Sequence, residues 1–343
     1  MKSIISLILT IAFHTPIYSQ GFDFSPITSD KKTPKESVDF IREYELPQDP
    51  SYVKLRRRLE DFISENHDHY HSEYSNSSGK TRYPVLREQE KDYLLIDNLK
   101  FHISRQNGNI SWSSALIDLD KIKSAVMVKN RFLIRAGELE LMLGHLQILY
   151  KFEPGGVLTR FGQVGGLYIS YDIHFKDGEK YDPLIKGMTN QYNTVLQIGT
   201  QRQLFLDKLE SAGLELIHLD LSAEQAQDLF KTSLEHAIRK EEISQNRYHT
   251  LRNSCITYQF DLLSETLGKR IHTYHPNLIA DELDKHDLVR KVEQIEAPDG
   301  IRNYVSKHFN LDAGLELEAT DMVFRSGVGR SEKPIEPFIK VRF

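Results

Sequence analysis

Two runs of alternating apolar residues constrain the fold of this chain most strongly. In residues 144–152 the apolar side chains occupy every second position, and residues 167–175 repeat the pattern. Strict alternation is typical of a strand with one buried face, and turn residues end both runs. Such strands leave an apolar face exposed unless a helix or a second sheet covers it. The sequence therefore predicts an antiparallel sheet packed against helices, an α+β fold.

Residues 222–238 have the pattern of an amphipathic helix that can cover such a sheet. Ser222 and Gln225 have the spacing of a capping box, and apolar residues follow at helical spacing. We expect this helix to pack near the two strands.

A second helix is predicted to begin close to Cys255. Apolar residues recur at helical spacing over residues 255–267, and Gly268 supplies a stop. Asn253 or Ser254 is the predicted cap. Cys255 therefore lies in the first turn of this helix.

Cys255 is the single cysteine of the 343-residue chain. In an exported protein a lone thiol has no partner for an internal disulfide, so it is a buried apolar side chain, an intermolecular link or a reactive nucleophile. The start of a helix offers a positive dipole end and unpaired backbone amides, which favour the thiolate and can also bind an oxyanion. The local sequence favours the nucleophile, with a small core residue as the competing interpretation.

The first 19 residues are predicted to be a signal peptide. One lysine precedes an apolar run that is too short to span a membrane, and Ser19 is a small residue at the expected cleavage point. No later stretch approaches the ~20 apolar residues of a membrane-spanning helix. We expect a mature protein in the periplasm or outside the cell, without a transmembrane segment.

The charge pattern gives no sign of a nucleic-acid partner. The formal net charge is -5, and the densest basic run, residues 54–58, is followed by acidic residues, as on a solvated helix face. A metal site drawn from His67, Asp68, His69 and His71 would need ligands that lie too close in sequence to share one helix face. We expect neither a metal nor another cofactor.

Three motifs resemble those of the Lnb N-terminal periplasmic domain family. A Gly-His pair opens the first strand at Gly144, Leu-Ser-x-Glu-Gln spans Leu221 to Gln225, and Tyr-x(4)-Asn-x-Cys-x-Thr spans Tyr248 to Thr257. In this order and spacing they cover roughly residues 130–270. The resemblance implies a permuted papain-like core in which the histidine strand precedes the cysteine helix.

This resemblance sets the expected domain boundaries. The papain-like core occupies residues 126–275, after the signal peptide and a mainly helical N-terminal extension over residues 20–125. A C-terminal extension over residues 276–343 ends in a short strand.

The resemblance also implies roles for two residues, with Cys255 as the nucleophile and His145 as the general base. Many relatives carry a second asparagine where Ser254 stands, so the capping and oxyanion contacts are expected to differ here. The namesake lipoprotein acyltransferases have membrane-embedded segments that we do not expect in this chain, so their substrate is not transferred to it.

Catalysis by this pair requires an imidazole close to the thiol and a third group that orients the ring. His145 lies at a strand start, and His174 and His249 are the competing bases. For the orienting group we choose Asp172 on the second strand. Ser170 and Gln163 are the alternatives, because they lie on or near the same strand.

Two main functions remain open at this point. The leading hypothesis is an exported cysteine hydrolase or acyltransferase that cleaves an amide or ester of an envelope lipid, lipoprotein or peptide through an acyl-thioester on Cys255. The alternative is a non-catalytic envelope binding or scaffolding module on the same fold. A metal-dependent hydrolase that uses residues 67–71 is a third hypothesis.

Overall fold

A computed structural model describes most of the chain between residues 81 and 296. The described residues are 57, 59, 81–90, 93–103, 110–136, 139–159, 162–175, 186–208, 213–239, 247–273 and 275–296. The predicted signal peptide, the histidine cluster at residues 67–71 and the predicted C-terminal strand lie outside them.

The described residues form one large mixed sheet. Its twelve strands are β1 (Val85–Gln89), β2 (Tyr93–Ile103), β3 (Ile110–Asp118), β4 (Ile122–Ala136), β5 (Leu139–Phe152), β6 (Val157–Thr159), β7 (Gly162–Gln163), β8 (Gly166–His174), β9 (Tyr192–Thr200), β10 (Gly213–Leu219), β11 (Arg247–Tyr248) and β12 (Val289–Glu296). The main path runs β12-β10-β4-β5-β8-β9-β2-β3-β6-β7, with β1 on β2 and β11 on β9. The β2–β9 pair is parallel, and the other pairs are antiparallel.

Four α-helices in the described part of the chain lie against this sheet. They are α1 (Gln201–Asp207), α2 (Ala223–Ile238), α3 (Cys255–Leu267) and α4 (Ile279–Asp284). The fold is therefore α+β and mostly sheet, which confirms the coarse prediction of a sheet packed against helices.

The main core lies between α2, α3 and one face of β5 and β8. The Tyr150 hydroxyl of β5 lies within hydrogen-bond distance of two groups of α2, the Ser233 hydroxyl at 2.7 Å and the Leu229 carbonyl at 3.3 Å. Gln259 of α3 donates to the Ile169 carbonyl of β8 at 3.3 Å. The opposite face carries a smaller apolar cluster, in which Phe205 of α1 takes part.

The two strands predicted from alternation are β5 and β8, and they are direct neighbours. Ile148 pairs with Ile169, and both side chains are buried in the main core. The chain does not turn directly from one strand into the other, because β6 and β7 form between them and pair with β3 and with each other. The two strands are adjacent in the sheet, and the connection between them is longer than a simple hairpin.

The predicted N-terminal extension is wrong where the structure describes it. Residues 81–125 contribute β1, β2, β3 and the start of β4, all within the same sheet as β5 and β8. The expected boundary at residue 125 therefore falls inside a strand. Most of the extension before residue 81 lies outside the described residues.

These strands lack the alternation that identified β5 and β8. Ser113 and Ser114 are both fully buried, and so are the neighbouring apolar residues Ala115 and Ile117. A strand that is buried on both faces loses its period of two, and buried hydroxyl groups weaken the apolar signal further. The pattern of the sequence was therefore uninformative in this region.

Candidate active site

The cysteine helix α3 begins as predicted. Ser254 is its N-cap, and a capping box joins the Ser254 side chain to the Thr257 amide and the Thr257 hydroxyl to the Ser254 amide. Gly268 ends the helix in the left-handed conformation with φ 60°. Cys255 is the first helical residue, and of the two predicted caps the structure selects Ser254.

The Ser254 side chain does not accept hydrogen bonds from the backbone amides of Cys255 and Ile256 at the start of the helix. The first amides of a helix have no carbonyl partner within the helix, and here the cap accepts from Thr257 but not from Cys255 or Ile256. These two amides lie beside the Cys255 side chain at the positive end of the helix dipole. They are suited to binding an oxygen that gains negative charge close to the sulfur.

The Cys255 side chain is more enclosed than the sequence indicated. It is 4% exposed and belongs to the main core cluster, together with apolar residues of the sheet and of α2. The thiol also has a polar neighbour, because it interacts with His145.

His145 lies where β5 and β8 stop pairing. The paired segment of the two strands ends at Gln147 and Ser170, and His145 and Asp172 are the next residues on the same face. Across this gap the His145 Nε2 atom lies 2.8 Å from the Ser170 hydroxyl and 3.2 Å from the Asp172 carboxylate. His145 is 7% exposed, so these contacts form away from solvent.

The Asp172 carboxylate is fixed from both sides. Ser170 donates to Oδ1 at 3.1 Å and the Gln197 amide donates to Oδ2 at 2.7 Å. Burial acts to raise the pKa of Asp172, but the hydrogen bond and charge of His145, with weaker contributions from Lys100 and Lys208, hold the pKa below its usual range. Asp172 is therefore an ionised group that can orient the imidazole of His145 and stabilise its charged form.

The imidazole of His145 interacts with both Cys255 and Asp172. Burial acts to lower the pKa of His145, but the charge of Cys255, hydrogen bonds to Asp172 and Cys255, and the charge of Asp172 together raise the pKa to about 9. The charged form of the ring is thus favoured when Cys255 is a thiolate and Asp172 a carboxylate. The three residues form one electrostatic unit in which His145 lies between the thiol and the carboxylate.

The competing histidines have other neighbours. Nδ1 of His174 lies 2.7 Å from the Thr81 hydroxyl, and its ring packs against Tyr83. Nδ1 of His249 accepts the amides of Leu251 and Arg252 in the turn that precedes α3. His145 is the histidine that acts on the pKa of Asp172.

Of the alternative orienting groups, Ser170 joins the site and Gln163 does not. The side chain of Gln163 instead accepts the Gly155 amide in a turn. Gln197 was missed by the sequence analysis. It lies on β9 opposite Ser170, and only the pairing of β8 with β9, which the sequence did not predict, brings it to Asp172.

No metal site or membrane-spanning helix is found in the part of the chain that the structure describes. No group of three or more His, Cys, Asp or Glu side chains there is arranged to hold a metal ion. Within the same residues, no helix has the length and apolar character needed to cross a membrane.

Comparison with known proteins identifies the family. The model of the Lnb N-terminal periplasmic domain matches residues 112–293, which is more than half of the chain and includes His145, Asp172 and Cys255. This match confirms the resemblance inferred from the three motifs and the predicted location in the periplasm or outside the cell. No curated protein matches the chain, and no solved structure matches it.

Proposed function

The chain belongs to the Lnb N-terminal periplasmic domain family, and we propose that it is an exported cysteine hydrolase or acyltransferase. In this proposal Cys255 is the nucleophile, His145 the general base and Asp172 the orienting group. The observation that carries it is the buried imidazole of His145, whose neighbours are the thiol of Cys255 and the ionised carboxylate of Asp172. A structural histidine in an apolar core has no need of this arrangement.

The first half of the proposed reaction transfers an acyl group to the enzyme. The Cys255 thiol transfers its proton to His145, and the thiolate attacks the carbonyl carbon of an amide or ester, while the amides of Cys255 and Ile256 bind the oxyanion that forms. The bond to the leaving amine or alcohol then breaks, and His145 supplies the proton that the leaving group takes. The product of this step is an acyl-thioester on Cys255.

The second half removes the acyl group. Water or an acceptor amine or alcohol attacks the thioester carbonyl, and His145 takes the proton of the attacking group. The C–S bond breaks, the acyl product leaves and the Cys255 thiolate is restored. The same site therefore serves for hydrolysis and for transfer, depending on which acceptor reaches the thioester.

The proposal gives each nitrogen of His145 a separate task. Nε2 is engaged by Ser170 and Asp172, so Nδ1 is the atom that exchanges a proton with Cys255. Ser170 accepts a hydrogen bond from Nε2 and donates its own hydroxyl hydrogen bond to Asp172 Oδ1. The carboxylate then stabilises the imidazolium without accepting its proton.

We further propose that the core has the permuted papain-like layout. The order of a histidine strand, β5, before a cysteine helix, α3, supports this, as does the packing of that helix against an antiparallel part of the sheet. An envelope lipid, lipoprotein or peptide remains the proposed substrate class.

The proposal can be tested with an activated ester. Wild-type protein should hydrolyse 4-nitrophenyl acetate, and Cys255→Ala and His145→Ala should each lower the rate by about 10³-fold or more, because the two residues act as a unit. For the same reason the double variant should be little slower than either single variant. His174→Ala is the matched control, since it removes a histidine of β8 whose ring contacts Thr81 and Tyr83, and it should keep the wild-type rate.

The non-catalytic alternative is favoured by one observation, the 4% exposure of Cys255. If Cys255→Ala hydrolyses the ester as fast as wild type, covalent catalysis by this residue is refuted. The binding or scaffolding module then becomes the better account of the fold.

A further inference from the structure

Tyr171 is a buried residue that the mechanism above does not use. It follows Ser170 on β8, so its side chain lies on the face that is covered by α3. The residue is 0% exposed, and its hydroxyl has no partner in good hydrogen-bond geometry, although the side chains of Thr194 and Asn253 lie near enough to act on it. A buried hydroxyl without a well-formed hydrogen bond is destabilising, so its presence calls for an explanation.

The ring of Tyr171 is held against the first turns of α3. It stacks on Tyr258 with a centroid distance of 4.2 Å and an interplanar angle of 5°. Tyr258 comes three residues after Cys255, so the two residues share one face of the helix. The stacked pair therefore fixes the tyrosine ring beside the cysteine.

The packing of α3 on β8 gives the same position. Gln259 contacts the Ile169 carbonyl, and Cys255 lies four residues before Gln259, about 6 Å along the helix. Tyr171 lies two residues beyond Ile169, about 7 Å along the strand. Because Tyr258, one residue before Gln259, stacks on Tyr171, two residues after Ile169, Tyr171 lies toward the Cys255 end of α3 from that contact.

The hydroxyl of Tyr171 is a proton donor at neutral pH. Burial, with a small contribution from the charge of Cys255, raises the pKa of Tyr171 to about 12, although hydrogen bonding by the side chains of Thr194 and Asn253 acts to lower it. The phenol is thus neutral, held by its stacking on Tyr258 and able to donate one hydrogen bond.

The geometry points to Tyr171 as a further catalytic residue, which donates a hydrogen bond to the oxyanion formed when Cys255 attacks a carbonyl group. This inference rests on the proposed function. It assigns two sets of donors to one oxygen, the amides at the start of α3 on one side and the phenol of β8 on the other. No proton is transferred by Tyr171, since it stabilises the charge and keeps its own hydrogen.

This role makes the lack of a well-formed hydrogen bond in the resting protein understandable. A donor that is poorly paired before the reaction and well paired in the transition state lowers the activation barrier, because its full interaction is gained only there. Replacing the hydroxyl by hydrogen should therefore cost activity without costing stability.

The test compares two reactions of the same sulfur in Tyr171→Phe. Acylation by 4-nitrophenyl acetate passes through an oxyanion and should slow by about 10²-fold, as for the loss of one oxyanion donor. Alkylation by iodoacetamide is a displacement at carbon without an oxyanion, and its rate should stay within about 2-fold of wild type. The midpoint of thermal unfolding should be equal to that of wild type or higher.

Tyr258→Phe is the matched control. It removes a phenol hydroxyl from the stacking partner, whose own hydrogen bond is to Nδ1 of His236 at 2.9 Å, and it should leave the acylation rate unchanged. Equal acylation of Tyr171→Phe and wild type would overturn the inference and leave the proposed function intact. Equal loss of acylation and alkylation would show that Tyr171 only positions Cys255. A wild-type protein that is alkylated but never acylated would overturn both proposals.

Discussion

The replacement Asp172→Asn tests the electrostatic argument at its centre. The amide has nearly the same shape as the carboxylate but carries no negative charge, so the packing of β8 should be kept. The pKa of His145 is about 9, against an ordinary value of 6.5. Because part of this increase comes from Asp172, we expect the variant to lower the pKa of His145.

The expected decrease in the pKa of His145 follows from the charged groups beside its imidazole. An increase from 6.5 to about 9 corresponds to roughly 3 kcal/mol in favour of the charged imidazole. Cys255 remains in the variant and keeps its share, so the pKa should not return to 6.5. A buried opposite charge at this distance typically changes a pKa by about 1 to 3, and we expect a decrease of about 1 to 2 for Asp172→Asn.

The measurement is an NMR titration of protein labelled at the histidine Cε1 carbon. The signal of His145 is assigned by its absence in His145→Ala. Asp220→Asn is the control, because it removes the same charge from an exposed position before α2 and should not change the titration. If His145 titrates near 6.5 in wild type, or at the same pH in wild type and Asp172→Asn, the charge coupling proposed here is wrong.

Two further predictions concern stability. Because the pKa of His145 is raised on folding, its contribution to the free energy of unfolding is complete below pH 6.5 and is lost as the pH rises through about 9. The free energy of unfolding measured in urea should therefore decrease over this pH range, and the decrease should be smaller in His145→Ala. Ser254→Ala removes the cap of α3 and should lower the free energy of unfolding by about 1 kcal/mol, as should Ser222→Ala at the matching capping box of α2. Only Ser254→Ala should slow the alkylation of Cys255 by iodoacetamide, and equal rates in the two variants would contradict the importance of the α3 cap for the thiol.

The elements of the catalytic centre could be predicted because their signals are local. Alternation identified β5 and β8, and the capping pattern with Gly268 identified α3. Since both strand faces and the first turn of a helix follow from spacing alone, the sequence placed Cys255 at the helix start. His145 was predicted at a strand start, whereas β5 begins at Leu139 and His145 lies inside it.

The residues that complete the site depend on pairing between distant parts of the chain. Gln197 reaches Asp172 only through the pairing of β8 with β9, and Tyr171 reaches the helix start only through the packing of α3 on β8. No local pattern specifies such contacts. The burial of Cys255 was missed for the same reason, since the apolar neighbours that enclose it come from strands and helices far apart in sequence.

The most direct test of the central claim is the mass of the protein after brief treatment with 4-nitrophenyl acetate at neutral pH. The proposed mechanism predicts one added acetyl group in wild type, located on the peptide that contains Cys255 and released by hydroxylamine as expected of a thioester. The acetyl group should be absent from Cys255→Ala and should persist longer when His145 is replaced, because water then lacks its base. Unmodified wild-type protein, or an acetyl group found only on lysine, would contradict the account.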